Sequence, residues 1–195
     1  MARYLVALLA VAWVGYVAWD ARPIARSPGV LAPGEPVQQN LTEGPRWQLG
    51  GYDVQALARF ELEARVLSAE RYRFDREAEL APVDLALGWG PMSANAVIDT
   101  LDISQGGRFF HWSSHEPMIA PGEISRHSAN MHMVPLDDDV RETLLDAKSG
   151  HLVRLAGWLI EARAGDGWKW RSSLTRGDTG SGACELVLVE RVDLD

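Results

Sequence analysis

The sequence predicts an α+β domain, mainly antiparallel β, behind one N-terminal transmembrane helix. Three observations predict it: an uncharged apolar run near the N-terminus, a Pro/Gly-rich stretch after it, and period-two alternation of apolar and polar residues through most of the rest.

The apolar run is Tyr4 to Trp19, sixteen residues without a charge, preceded by Arg3 and closed by Asp20. As a helix it would span about 24 Å, somewhat short of a hydrocarbon core of about 30 Å. Trp13, Tyr16 and Trp19 lie towards its outer end, where amphipathic rings suit the headgroup layer and extend the usable length. A cleaved secretory signal is the rival reading, but Val17-Ala18-Trp19-Asp20 offers no clean small-x-small site. Residues 1–22 are therefore expected to be a retained membrane anchor. Arg3 and the terminal amine favour a cytoplasmic N-terminus, with Arg22 and Arg26 pulling the other way. The expected placement is a bacterial inner membrane, single-pass, with the C-terminal domain in the periplasm.

Residues 23–46 carry Pro23, Pro28, Gly29, Pro33, Gly34, Pro36, Gly44 and Pro45, the composition of a linker. Residues 47–195 are then one globular β-rich domain of an ordinary size. Phe60, Leu62, Ala64 and Val66 alternate with Glu61, Glu63 and Arg65 as on a half-buried strand. Further strands are predicted at Val83 to Leu87, Arg108 to Trp112, Ser128 to Val134, Leu152 to Ala162, Trp168 to Leu174 and Glu185 to Val192. Gly165-Asp166-Gly167 signals a hairpin turn. Two short helices are predicted, one capped by Ser93 and running towards Leu101, the other capped by Asp137 or Asp138, packing Val140, Leu144 and Leu145 and stopping at Gly150. A capped helix followed by further strands is compatible with a small closed barrel of the oligonucleotide/oligosaccharide-binding (OB-like) type.

Nineteen basic against 27 acidic residues give a net charge of −8, which argues against a nucleic-acid partner, since phosphates require a basic face. Cys184 stands alone, so no disulfide forms within the chain, and at the start of a strand it reads first as a small hydrophobe.

The densest polar cluster is His127 to His132. On a strand, Ser128, Asn130 and His132 share one face while His127, Ala129 and Met131 share the other. The two histidines then diverge from any common metal, and Ser128 lies about 13 Å along the strand from His132, too far for a nucleophile and its base. His111 and His115 have helical spacing for a metal pair but lack further ligands at a recognised spacing, so no metal and no cofactor are expected. After the hairpin turn, Trp168, Trp170 and Ser172 would share a face with Leu159, Glu161 and Arg163 if the loop holds an even number of residues, and Arg163 could then stack on an indole. Tryptophans in such a strand serve as sheet stabilisers or as platforms for sugars and peptides. The glycine-rich loop Arg176 to Gly182 contains one Asp-Thr-Gly triplet and reads as a turn, because an aspartic-protease site needs two such carboxylates. Trp89, within Gly88 to Met92, reads as a packing residue at a strand exit.

Asp84 to Met92, Ser125 to Pro135 and Trp168 to Glu185 together resemble a family of uncharacterised proteobacterial membrane-anchored proteins. The resemblance implies the architecture and transfers no site residue. The functional expectation is a binding or scaffold domain that contacts an envelope protein, peptide or glycan through Ser128, Asn130, His132, Trp168 and Trp170. Its alternative is a periplasmic hydrolase using His132 with Asp178, Ser172 or Ser173.

Overall fold

A computed structural model of the chain describes Trp13, residues 22–175 and residues 184–195. Apart from Trp13, the expected anchor Tyr4 to Trp19 lies outside the described residues, as does the loop with Asp178. No helix among the described residues is long and apolar enough to cross a membrane.

The α+β expectation holds: one large, mainly antiparallel sheet dominates, and the helices are short. In chain order the elements are β1 (Val37–Asn40), β2 (Arg46–Leu49), β3 (Tyr52–Arg71), α1 (Arg76–Leu80), β4 (Val83–Gly88), a 3₁₀ turn (Gly90–Ser93), α2 (Asn95–Ile98), β5 (Asp102–Gly106) and β6 (Phe109–Ser113). They continue with α3 (Pro121–Arg126), β7 (Ser128–Pro135), α4 (Asp138–Leu145), β8 (Leu152–Ala164), β9 (Lys169–Arg171) and β10 (Glu185–Leu194).

The pairings β3–β4, β4–β7, β7–β10, β10–β8 and β8–β3 return to their starting strand and form a ring. All are antiparallel except β7–β10. β3 closes the ring because it is long enough to serve two neighbours: Tyr52 to Arg65 pair with β8, and Arg65 to Arg71 pair with β4. Register shifts between Ala56 and Ala58, between Val66 and Ser68, and between Val189 and Arg191 supply the local bends such curvature needs.

Alternation then sorts the side chains. Phe60, Leu62, Val83, Leu85, Leu87, Met131, Met133, Val153 and Val187 pack together in one core with Val140 and Leu144 of α4. On the other surface of the strands, Ile160, Ala162, Leu186 and Leu188 are covered by Trp168 and Trp170 from the β9 hairpin, and Ala86 is covered by Met92, Val97 and Ile124 from the long β4–β7 connection. Ring strands buried on both faces explain why the alternation of apolar and polar residues fades in β4, which reads Val83-Asp84-Leu85-Ala86-Leu87 and is buried throughout.

Several local expectations change. Asp137 caps α4, its Oδ1 accepting from the Val140 N–H at 2.9 Å. Ser93 caps no helix: its hydroxyl donates to the Gly90 carbonyl and accepts from the N–H groups of Leu31 and Ala32. β9 is shifted by one residue from the anticipated facing. Ala164 and Trp168 bond across a loop of odd length, so Trp170 lies opposite Ala162, with Glu161 opposite Arg171. Trp170 therefore turns away from Glu161 and Arg163, and Arg163 pairs with Glu161 instead of stacking on an indole. The Pro/Gly-rich stretch before residue 46 lies along the domain rather than standing clear of it: β1 pairs with β3, Ala32 is fully buried, and the Ile24 N–H donates to the Ser149 carbonyl at 2.9 Å. Apart from β1, frequent proline and glycine let this segment follow the surface without regular structure.

Candidate functional site: a cation-holding cleft beside the ring

β4 and β7 run antiparallel with Asp84 directly opposite His132 and Ala86 opposite Asn130. These four side chains face outward from the ring, because their neighbours Val83, Leu85, Met131 and Met133 point into its core. The outward face is nevertheless buried. The β5–β6 hairpin folds over it from one side and the β9 hairpin from the other, leaving Asp84 at 0% and His132 at 5% exposure.

The tip of the β5–β6 hairpin supplies Arg108. Gly107 and Arg108 both have positive φ, 57° and 66°, the combination a two-residue hairpin turn requires. The tip is pinned through its backbone: the Arg108 N–H donates to the Tyr72 hydroxyl at 3.0 Å, and Asn130 Nδ2 donates to the Arg108 carbonyl at 3.1 Å. Asn130 also accepts from Gln105 Nε2 at 2.7 Å, so its amide seats the hairpin on β7.

The Arg108 guanidinium enters a cage. Nη1 lies 3.0 Å from Asp84 Oδ1 and also donates to the Ala81 carbonyl; Nη2 lies 2.8 Å from Asp75 Oδ1. The guanidinium carbon stands 4.0 Å from the centre of the Tyr72 ring and 5.4 Å from that of Trp170, within cation–π range. Its Nε is buried without a hydrogen-bond partner. Asp75 is fixed by a second task, since the same Oδ1 caps α1 by accepting from the Ala78 N–H at 2.6 Å. Burial pushes the Asp75 carboxyl up, but the Arg108 hydrogen bond and charge, helped by the Ala78 N–H, outweigh it and hold the group below the usual carboxylate range. Burial raises Tyr72 above the ordinary phenol value, against the Arg108 N–H, and keeps it a neutral acceptor.

His132 completes the wall. Its Nδ1 lies 2.9 Å from Asp84 Oδ1 but is not aligned for a hydrogen bond, and its ring packs on Trp170 with centroids 4.8 Å apart. Beside this cluster opens a cleft of about 490 Å³ lined by Tyr72, Asp75, Glu77, Gly107, Arg108, Phe109, His132, Trp170, Arg171 and Cys184.

Of the five anticipated site residues, His132 and Trp170 meet at the cleft, and Asn130 stands behind it as a support. Ser128 does not take part: it is buried, and its hydroxyl donates to the Ile124 carbonyl at the end of α3. Trp168 is a neighbour of Trp170 at 6.1 Å, but it turns towards Tyr52 and the Arg76 guanidinium. For hydrolase chemistry, an Asp84–His132 pair has the composition of a base and its orienting carboxylate. The serines proposed to serve it are engaged elsewhere. Ser172 donates to the Ser173 carbonyl and accepts from the Leu186 N–H, while Ser173 donates to the Thr175 carbonyl. No cluster of three or more His, Cys, Asp or Glu that could hold a metal occurs among the described residues.

Tyr72, Asp75, Asp84 and Arg108 were not anticipated. One signal was present: Asp84 is the only charge in the apolar run Ala81-Pro82-Val83-Asp84-Leu85-Ala86-Leu87, and a carboxylate buried in a strand requires a cationic partner. Gly106-Gly107 likewise marks a turn ahead of Phe109. No family model, no curated protein and no solved structure matches this chain.

Proposed function

We propose that the protein is a membrane-anchored, periplasm-facing binding domain whose ring of strands is an OB-like barrel, and whose ligand sits in the cleft lined by Tyr72, Arg108, His132 and Trp170. The observation that carries this reading is where the cleft lies. Numbered along the chain, the ring strands β3, β4, β7, β8 and β10 pair in the order first, second, third, fifth, fourth and back to the first, with α4 between the third and fourth. In OB barrels, ligands lie on the outer face of the second and third strands, between the loops joining strands one to two and four to five. The counterparts here are β4 and β7, the loop carrying Tyr72, Asp75 and Glu77, and the β8–β10 connection carrying Trp170, Arg171 and Cys184. All three meet at the cleft. Fold analogy supports a position for a ligand without naming it, so its chemistry has to come from the side chains.

The anchor at Tyr4 to Trp19 belongs to the same proposal and directs it towards an envelope protein, peptide or glycan; the acidic balance disfavours nucleic acid. Crosslinking in native membranes followed by mass spectrometry tests it. Trp170→Ala and His132→Ala are expected to lose the same set of partners as each other while circular dichroism shows a folded domain. An unchanged partner set on folded variants would remove the cleft from the proposal.

A further inference from the structure

Resting on that binding reading, we infer that the cleft receives the guanidinium or ammonium group of a basic polypeptide segment, and that the Arg108 side chain is the resident occupant which such a group displaces. The walls already display the chemistry. Two carboxylates, Asp75 and Asp84, and two aromatic faces, Tyr72 and Trp170, surround one cation, a set of groups that matches a guanidinium or ammonium and repels an acidic peptide. Glu77 adds a third carboxylate, and the other guanidinium of the lining, Arg171, is held at 2.8 Å by Glu161. Arg108 is thus the cation on which the fully buried Asp84 depends, and only another cation replaces it without stranding that carboxylate.

Displacement does not require the hairpin to unfold. The Tyr72 and Asn130 bonds hold the backbone of Arg108, so its side chain alone has to leave, and its buried, unpartnered Nε makes its own hold incomplete. An exchange of one guanidinium for another is near balance within the cage, so net affinity must come from contacts outside it. Phe74 is 99% exposed on the loop between Tyr72 and Asp75, and Phe109 is 41% exposed at the hairpin tip, placing apolar contact surface beside the cage. A net charge of −8 steers basic partners towards the molecule.

The test uses the full chain in detergent micelles and three probes: acetyl-Gly-Arg-Gly-amide, its citrulline counterpart and its glutamate counterpart, followed by calorimetry and tryptophan fluorescence. Arg108→Ala is expected to bind the arginine probe at least tenfold more tightly than the unmodified protein and to gain nothing for the other two. Adding Asp75→Asn should return most of that gain. Arg108→Gln, which keeps more of the side chain's bulk, carries the same expectation where the alanine variant fails to fold. An equal gain for the citrulline or glutamate probe would overturn the cationic assignment while leaving a binding cleft. No gain for any probe, in variants whose crosslinked partners still depend on Trp170, would overturn the inference alone. No gain together with partners indifferent to Trp170 would overturn the binding reading as well.

Discussion

Asp84 pairs with Arg108 at 3.0 Å and lies 2.9 Å from His132 Nδ1, from a position with no exposure to water. Removing one partner of a buried ion pair leaves the other desolvated and uncompensated, which costs about 3–5 kcal/mol. Asp84→Ala is expected at the lower end of that range, because Asp75 still faces the guanidinium. Equilibrium urea unfolding measures it, and a loss under about 1 kcal/mol would mean that Asp75 suffices. His151 gives a pH-dependent counterpart. Burial holds it below its ordinary value, with the Lys148 and Arg26 charges adding to the effect and Asp146 and Asp195 opposing it. Its Nδ1 accepts from the Lys148 N–H at 3.2 Å, which only an unprotonated nitrogen can do. A depressed folded-state value means this contribution is present above the unfolded value, about 6.5, and is lost as pH falls through the folded one. The melting temperature should therefore decline on acidification below about pH 6.5, and His151→Gln should flatten that decline. At this scale the sequence was partly legible. The alternation through Ser128 to His132 put Asn130 and His132 on the correct shared face, but nothing in periodicity brings Arg108 to them from 24 residues upstream of His132.

Element by element, legibility followed locality. The Asp137 cap, the Gly165-Asp166-Gly167 turn and the strands at Val83 and Ser128 are written in adjacent residues, and they formed as expected. Trp170's facing was not legible, since it hinges on whether the hairpin loop is odd or even, and one residue of difference moves every side chain to the other face. Ser93 was drawn from helix capping to the backbone of Leu31 and Ala32, a contact 61 residues or more distant that no local rule contains. Close strand approach was equally hidden. Gly157 lies between Phe60 on β3 and Val189 on β10, and a Cβ added there would sit 1.9 Å from the Leu188 carbonyl oxygen. The atoms it would meet are backbone of Leu188 and Val189 on β10, so no flexible side chain can give way. Gly157→Ala is expected to cost more than about 4 kcal/mol, beyond the usual effect of a point substitution. Thermal unfolding of purified protein reads this directly, and a melting temperature within a few degrees of the original would show that the β8–β10 bulge can absorb the methyl group.

Across the whole molecule, the feature that organises everything is that β3 pairs with both β4 and β8. Period two identifies a strand but never its neighbours, so a 20-residue strand dividing its edges between two partners reads from sequence merely as a long strand. The same limit concealed how much of the N-terminal stretch belongs to the folded unit. Arg26 donates to the Gly150 carbonyl at 2.7 Å and Asn95 Nδ2 to the Arg26 carbonyl at 2.7 Å. The Gly90 N–H donates to the Ala32 carbonyl at 2.8 Å, and Val37 to Asn40 extend the sheet beside Ala58 to Glu61. These partners lie on the 3₁₀ turn, on α2, before β8 and on the ring itself, so the segment ties together elements that are otherwise far apart in the chain. A chain starting at residue 47 would leave those groups without their partners and would uncover the outer edge of β3. With each hydrogen bond worth about 1 kcal/mol net, the combined loss is expected to exceed about 3 kcal/mol. Comparing chains that begin at residues 22 and 47 by urea unfolding decides where the domain starts. The longer chain should unfold in one transition at a clearly higher midpoint, because Pro23 to Pro45 fold with the ring. Equal midpoints would return that stretch to the role of a spacer.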